Sequence, residues 1–218
     1  MAKVLILVEG QTEERFVKDI LGPDLSAKGI WLIPTIITTK VVYNGPNNKG
    51  GTVKYEKIKK QIKNLANDSN SKMVTTMIDY YGVSDDFPGN PPQGNDCYER
   101  IKYRESAFAK DIGLNKFLPY LQLHEFEALL FSEPEKIGET LDQNIANSLI
   151  NVRNNVRTPE EINDNPKTCP HERIESVYGK YNKPLYGLII AKRIGIKKIR
   201  QECPHFNEWI NKLESLAR

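Results

Sequence analysis

Short, almost wholly apolar runs alternate with helix-patterned stretches through the first half of this 218-residue chain, and that alternation leaves few folds open to it. Residues 3–8, "KVLILV", read as a buried strand, because near-continuous apolar character belongs to strands covered on both faces of a parallel sheet. A helix is expected from Thr12 to Leu21, with Phe16, Val17, Ile20 and Leu21 at helical spacing and "GPD" ending it. A second strand, 30–39, is rich in β-branched residues, and Pro34 points to an edge or a bend. The turn formers of "YNGPNNKGGT" (43–52) read as a mobile loop. Residues 53–66 form an amphipathic helix with Tyr55, Ile58, Ile62 and Leu65 on one face. A third strand, 73–81, leads into a long loop, 82–96, of a length that is usually functional or disordered. A helix over about 96–112 follows, and "FLPYLQLHEFEALLF" (117–131) splits into a short strand and a helix starting at His124 or Glu125.

The resulting β-α-β-α-β-α-β order predicts an α/β fold, Rossmann-like, with a mainly parallel sheet flanked by helices. Beyond it the pattern is helical. "SEPE" (132–135) and "TPEE" (158–161) read as helix starts with Ser or Thr caps, Pro in the first turn and Glu at the third position. Further helices are expected near 184–194 and 206–216. The expected organisation is an α/β core over 1–131 with a helical C-terminal extension, 132–218, packed on it.

Composition narrows the class. The chain is 39% hydrophobic and 27% charged, ordinary values for a globular protein, and its longest apolar runs fall far short of a membrane span. No small-residue cleavage site follows the N-terminal apolar stretch, so a cytoplasmic location is expected. Three cysteines, odd in number and widely spaced, do not suggest a disulfide framework. The net charge of +3 neither demands nor excludes a nucleic-acid partner.

Acids carry the functional argument. In open parallel sheets, functional groups collect at the carboxyl ends of the strands. Glu9 ends the first strand, Asp79 ends the third, and Glu125 and Glu127 follow the next. If those strands are neighbours, four carboxylates meet on one rim, a self-repelling arrangement that a cation would relieve. Hard oxygen donors of this kind suit Mg²⁺ or Mn²⁺, which pair carboxylates with substrate phosphate in metal-assisted phosphodiester cleavage. Each acid also has a plainer reading: Glu9 as a solvated strand end, Asp79 as a loop cap, Glu125 and Glu127 as first-turn acids favoured by the helix dipole. Gly10 would let the chain turn beside Glu9 without crowding a substrate.

Other features compete. Cys-Pro-His occurs twice, at 169–171 and 203–205, and two Cys with two His make a zinc set conceivable; helix-start punctuation by Pro170 and Pro204 is the alternative. "KRIGIKKIR" (192–200) offers Lys192 and Arg193 as phosphate contacts, or is a solvated helix face over Ile194, Ile196 and Ile199. Tyr80, Tyr81 and Tyr103 could stack on bases or pack in the core. His124, beside the acids, could assist proton transfer or fill a structural place.

"VEGQTEERF", "MIDYYGVSDDFPG" and "LHEFEALLFSEPE", in this order and spacing, resemble the Toprim-like proteins, specifically a short bacterial family of unassigned function related to nucleases of the OLD and RloB type. The resemblance runs over nearly the whole chain, including the tail "YGLIIAKRIGIKKIRQECPHFNEWINKL". It implies a Toprim fold in which a Glu from the first strand and an Asp-x-Asp from the third bind divalent metal. Glu9 matches the former and Asp79 the leading Asp, while Tyr81 stands where the second Asp would be. Glu125 and Glu127 match a later acidic block. The resemblance also implies an AAA- or ABC-type ATPase partner in anti-phage defence.

The leading expectation is therefore a Mg²⁺- or Mn²⁺-dependent nuclease, acting on DNA ahead of RNA, with Glu9, Asp79, Glu125 and Glu127 as catalytic metal ligands and a homo-oligomer left open. The rivals are a non-catalytic module docking to an ATPase, and a phosphoryl-accepting domain of receiver type with acids after strands one and three.

Overall fold

The computed structural model describes residues 1–38, 54–163 and 168–217. The stretch "YNGPNNKGGT", expected as a loop, lies outside them. Five strands form one parallel sheet: β1 (Ala2–Val8), β2 (Ile30–Ile36), β3 (Met73–Asp79), β4 (Phe117–Leu118) and β5 (Leu121–Gln122). The order is β2-β1-β3-β4, and β5 also pairs with β3. Val4 lies beside Leu32 on one flank and Met73 on the other. Central β1 and β3 are thus adjacent, which brings their carboxyl ends to one rim. Pro34 sits on β2, an edge strand, where its missing donor costs least.

The apolar continuity of β1 has a simple cause. Side chains alternate across a strand, so Val4, Ile6 and Val8 enter one core while Leu5 and Leu7 enter the other. The second core is closed by α3 (Tyr55–Ala66) and α4 (Cys97–Ile112), through Ile58, Ile62, Ile101 and Phe108. The helix α4 starts on Asp96, whose carboxylate accepts from the Glu99 amide, and ends on left-handed Gly113.

The first core is closed by the N-terminal helix and by most of the C-terminal half: α5 (Pro134–Leu141), α6 (Ala146–Asn154), α7 (Pro170–Glu175), α8 (Leu188–Ile194), α9 (Ile196–Glu202) and α10 (Pro204–Glu214). Trp209 of α10 stacks on Tyr120 with ring centroids 4.2 Å apart, and its indole N–H donates to Thr75 Oγ1 of β3 at 2.9 Å. The C-terminal helices and the sheet therefore share one hydrophobic core.

Several local expectations need correction. "GPD" does not end the first helix: α1 (Gln11–Phe16) runs through a π-turn (Val17–Leu21) into α2 (Gly22–Ser26). The wider turn lets the chain pass Pro23, which lacks an amide donor, without breaking. It also brings the Val17 carbonyl to 2.9 Å from where a Gly22 Cβ would stand. Gly22→Ala is expected to cost about 1–3 kcal/mol in urea unfolding, by analogy with other overpacked sites; an unchanged midpoint would show that the turn yields freely.

Ser132 does not cap α5. Glu133 holds that position, and the Ser132 hydroxyl lies 3.3 Å from the Cys203 thiol. "TPEE" opens only a 3₁₀ turn (Pro159–Glu161), with the Thr158 hydroxyl on Tyr98 rather than on the turn. The segment after β5 is a 3₁₀ helix (Phe126–Ser132) rather than an α-helix. The second and third strands stop at Ile36 and Asp79, and Tyr80–Gly82 forms a 3₁₀ turn. No helix of the described residues is long and apolar enough to cross a membrane.

Candidate active site

The rim at the carboxyl ends of β1 and β3 gathers the expected acids together with two residues that the sequence did not single out. Glu9 leaves β1 with its amide bonded to Met77 O of β3, and its Oε2 accepts from the Asp79 amide at 3.0 Å. One turn into α1, Glu13 points back to the same place and is buried. Asp79, at the end of β3, is 7% exposed. Glu127, in the 3₁₀ helix after β5, is fully buried.

At the centre stands Lys183. Its Nζ lies 3.1 Å from Asp79 Oδ2, 3.2 Å from Glu127 Oε2 and 3.3 Å from Glu13 Oε1. The lysine is held by a π-turn (Lys183–Gly187), where the Asn182 carboxamide oxygen accepts from the Leu185 amide and Pro184 sets the first turn. Phe126 lies beneath the ammonium, 5.7 Å from its ring centroid. Glu127 is further bound by the Tyr181 hydroxyl, which donates to Oε1 at 3.3 Å, and by His171 Nδ1 at 3.5 Å.

Glu125 is positioned differently. Its Oε1 accepts from the His171 amide at 2.6 Å, at the start of α7. The Cys-Pro-His repeat is thereby explained. Pro170 and Pro204 each occupy the first turn of a helix, and the first-turn amides just after them, which have no partner within the helix, bind a glutamate from elsewhere in the chain. His171 N–H binds Glu125; His205 and Phe206 N–H bind both oxygens of buried Glu160, each at 2.9 Å. The side chains then diverge: His171 faces Glu127, whereas His205 Nε2 lies 3.1 Å from Glu105 Oε1. The helix-start reading accounts for both pairs. All three cysteines are free thiols.

Electrostatics follow from five carboxylates around one permanent cation. Burial, then the nearby Glu13 charge, raises Glu9 above the usual carboxylate range. Burial raises Asp79 well above it, despite Lys183. Burial and Glu127 raise Glu125. Glu127 falls below it: burial pushes it up, but Lys183 and His171 outweigh that. Lys183 is pulled down by burial and then lifted well above the ordinary lysine range by Asp79, Glu127 and Glu13. His171 is raised by its bond to Glu127.

The donor chemistry suits a hard divalent cation, since every acid offers oxygen and one buried oxygen, Asp79 Oδ1, has no hydrogen-bond partner. The arrangement itself is closed around the ammonium: among the described residues, no three of His, Cys, Asp and Glu converge as a ready metal-ligand set. Two glycines make room for the acids. A Cβ on Gly82 would fall 2.6 Å from Glu9 Oε2, and one on Gly10 would fall 3.2 Å from Glu13 Oε2. Gly10 has an ordinary extended φ of −151°, so its role is space for Glu13 rather than a tight turn.

The basic run does not reach this cluster. Ile194 and Ile199 are core residues and Lys192 is exposed, while Arg193 Nη1 donates to Glu139 O and Thr140 Oγ1. The cation that does reach the acids, Lys183, sits in "NKPLYG", which carries no recognisable motif. Glu13 had a legible signal: it lies four residues after Glu9, on the helix face turned toward the strand end.

Neither the comparison with curated proteins nor that with solved structures returns a match. One family model matches residues 8–214, so the span includes every acid of the cluster and Lys183. By that match the chain belongs to the family described as a domain of unknown function, DUF4276.

Proposed function

We propose that this chain is a divalent-metal-dependent nuclease that hydrolyses nucleic-acid phosphodiesters. The single observation that carries the reading is the meeting of Glu9, Glu13, Asp79 and Glu127 at the carboxyl rim of two adjacent parallel strands, with the buried Asp79 Oδ1 left without a hydrogen-bond partner. These four residues would hold Mg²⁺ or Mn²⁺, which supplies Lewis-acid stabilisation and a water of lowered pKa. Glu125, raised by burial and by Glu127, suits proton exchange nearer neutrality than an ordinary carboxylate. Lys183 supplies a fixed positive charge where a phosphoryl oxygen gains negative charge. Phe126 and Tyr181 keep bulk water from the inner side of the cluster, strengthening those interactions.

DNA stands ahead of RNA as substrate, and an AAA- or ABC-type ATPase in anti-phage defence is the partner that the Toprim-like resemblance implies. A cytoplasmic location accords with the same reading. Two observations favour the docking module instead. Lys183 already neutralises part of the cluster, and Tyr81 stands at the second acid position of the Toprim pattern.

Incubation with supercoiled plasmid and with single-stranded RNA, in Mg²⁺, Mn²⁺ or chelator, separates the two. Metal-dependent cutting that disappears in Glu9→Gln is the expected outcome. No cutting with either ion, together with no heat of Mn²⁺ binding in calorimetry, would leave only the docking module.

A further inference from the structure

The outer face of α3 carries charge that the fold does not use. Lys54, just ahead of the helix, and Lys60 and Lys63 along it are exposed, and among the described residues none of the three forms an ion pair. Other cations of the chain are engaged: Lys28 by Asp24 and Glu214, Arg153 by Glu202, Arg200 by Glu214. The acids around α3 are bound by other groups. Asp111 is held by Lys59 Nζ at 2.8 Å and by the Tyr55 hydroxyl, Asp68 by Lys3 Nζ at 2.6 Å, and Asp86 by the Ser84 hydroxyl and the Tyr55 amide. Within the helix itself the one acid is Glu56.

The direction of α3 gives this row a place. The Tyr55 amide donates to Asp86 Oδ1 at 3.4 Å, in the loop that follows β3, and Asp68, just past the helix end, binds Lys3 at the start of β1. The helix therefore runs from the acid rim back to the amino ends of the strands, with Lys54 at the rim end. At about 1.5 Å of rise per residue the row spans about 13 Å, over which one strand of a duplex, with a charge about every 3.4 Å, presents about four phosphates. The apolar side of α3 is closed to any partner, because Tyr55, Ile58 and Ile62 are buried in the second core. A helix that lies on a membrane needs that side free to enter the lipid. Protein interfaces centre on apolar and aromatic groups, whereas the exposed residues beside these lysines include Asn64 and Asn67. An extended polyanion is the ligand that fits such a face.

We propose that the Lys54, Lys60 and Lys63 face of α3 binds the phosphate backbone of nucleic acid, without reading its sequence, and leads it to the acid rim. The proposal rests on the nuclease reading for what happens at the rim, but on the lysine row alone for how the substrate is held. A lysine ammonium is a point charge on a flexible stem, so its contacts with phosphate supply affinity and salt dependence but no recognition of bases. Duplex DNA is the denser polyanion, carrying about twice the charge of one strand per unit length, and is expected to bind ahead of single strands.

The test is fluorescence anisotropy in chelator, so that no cutting occurs, with a blunt DNA duplex, poly-dT and poly-rU as labelled probes and salt as the variable. Joint substitution Lys60→Gln and Lys63→Gln is expected to lower the slope of log Kd against log salt by about 1.8 on the duplex, about 0.9 per lost phosphate contact. The same slope corresponds to binding about 60-fold weaker at about 0.1 M salt. Lys60→Arg with Lys63→Arg keeps the charge and should match the wild type. Lys72→Gln with Lys197→Gln removes as much charge from exposed lysines off α3 and should leave the slope unchanged. Tighter binding of poly-dT or poly-rU than of the duplex, with the same dependence on Lys60 and Lys63, keeps the row and moves the substrate to that strand. Equal losses in the two glutamine pairs, no binding of any probe by the wild type, or wild-type preference for phosphatidylserine vesicles over all three overturns the proposal. Lysine-dependent binding without metal-dependent cutting would keep the row and remove the nuclease, whereas cutting with binding unmoved by Lys60→Gln and Lys63→Gln would do the reverse.

Discussion

Lys183→Met is expected to destabilise the metal-free protein by about 3–5 kcal/mol, the cost of leaving buried charges without their counter-charge. The ammonium touches three carboxylates that are 10% exposed or less at the side chain, and is itself 25% exposed. A surface ion pair would contribute under about 1 kcal/mol, so the two cases are separable by urea unfolding. The deficit should depend on pH in a definite sense. Lys183 is held above the ordinary lysine range, so its contribution is complete at and below neutrality and is lost only in strong alkali. Glu9 and Asp79 are raised, and in mild acid they take up protons and no longer need the ammonium. The gap between Lys183→Met and wild type should therefore be widest near about pH 8 and narrow toward about pH 5. A cost below about 1 kcal/mol at both values would mean that the cluster is solvated and that Lys183 is a surface residue.

The fold was legible because its determinants are local. The unbroken apolar run of β1, the 3.6-residue periodicity of α3 and the capped start of α4 each follow from neighbours in sequence. What failed was also local but depended on tertiary context. "GPD" carries the residues of a helix stop, yet packing of Leu25 into the core keeps the helix going through a π-turn. "SEPE" has a serine in the capping position, but that hydroxyl is drawn to Cys203 across the core.

At the site, the convergence of Glu9 and Asp79 was readable from strand ends alone, because parallel neighbours must present their carboxyl termini together. Lys183 was not. It lies 104 residues from Asp79, on a segment whose periodicity is ordinary, and its role exists only once α8 is packed against α1 and the 3₁₀ helix. Arg193 shows the converse: a basic run that looks like a ligand site is absorbed by the carbonyl of Glu139.

Asp79→Asn should pull stability and activity in opposite directions. Cleavage is expected to fall by at least about 10²–10³-fold, the scale seen when one preorganised polar contact to the transition state is removed. Stability should rise. Asp79 is raised well above its ordinary range, first by burial and then by Glu9, Glu13 and Glu127, with Lys183 opposing. A raised carboxyl favours its protonated form in the fold, so the wild type loses stability as pH climbs from the unfolded value through the folded one. Asparagine mimics the protonated form at every pH. The variant should match the wild type in acid and exceed it increasingly toward about pH 8, in metal-free urea unfolding. Added Mg²⁺ or Mn²⁺ should stabilise the wild type by mass action and leave Asp79→Asn nearly unmoved, which closes the gap from the other side. If Asp79→Asn is instead the less stable protein near pH 8, its pairing with Lys183 outweighs the repulsion among the acids. The cluster would then be a satisfied structural network rather than a site held in tension for a cation.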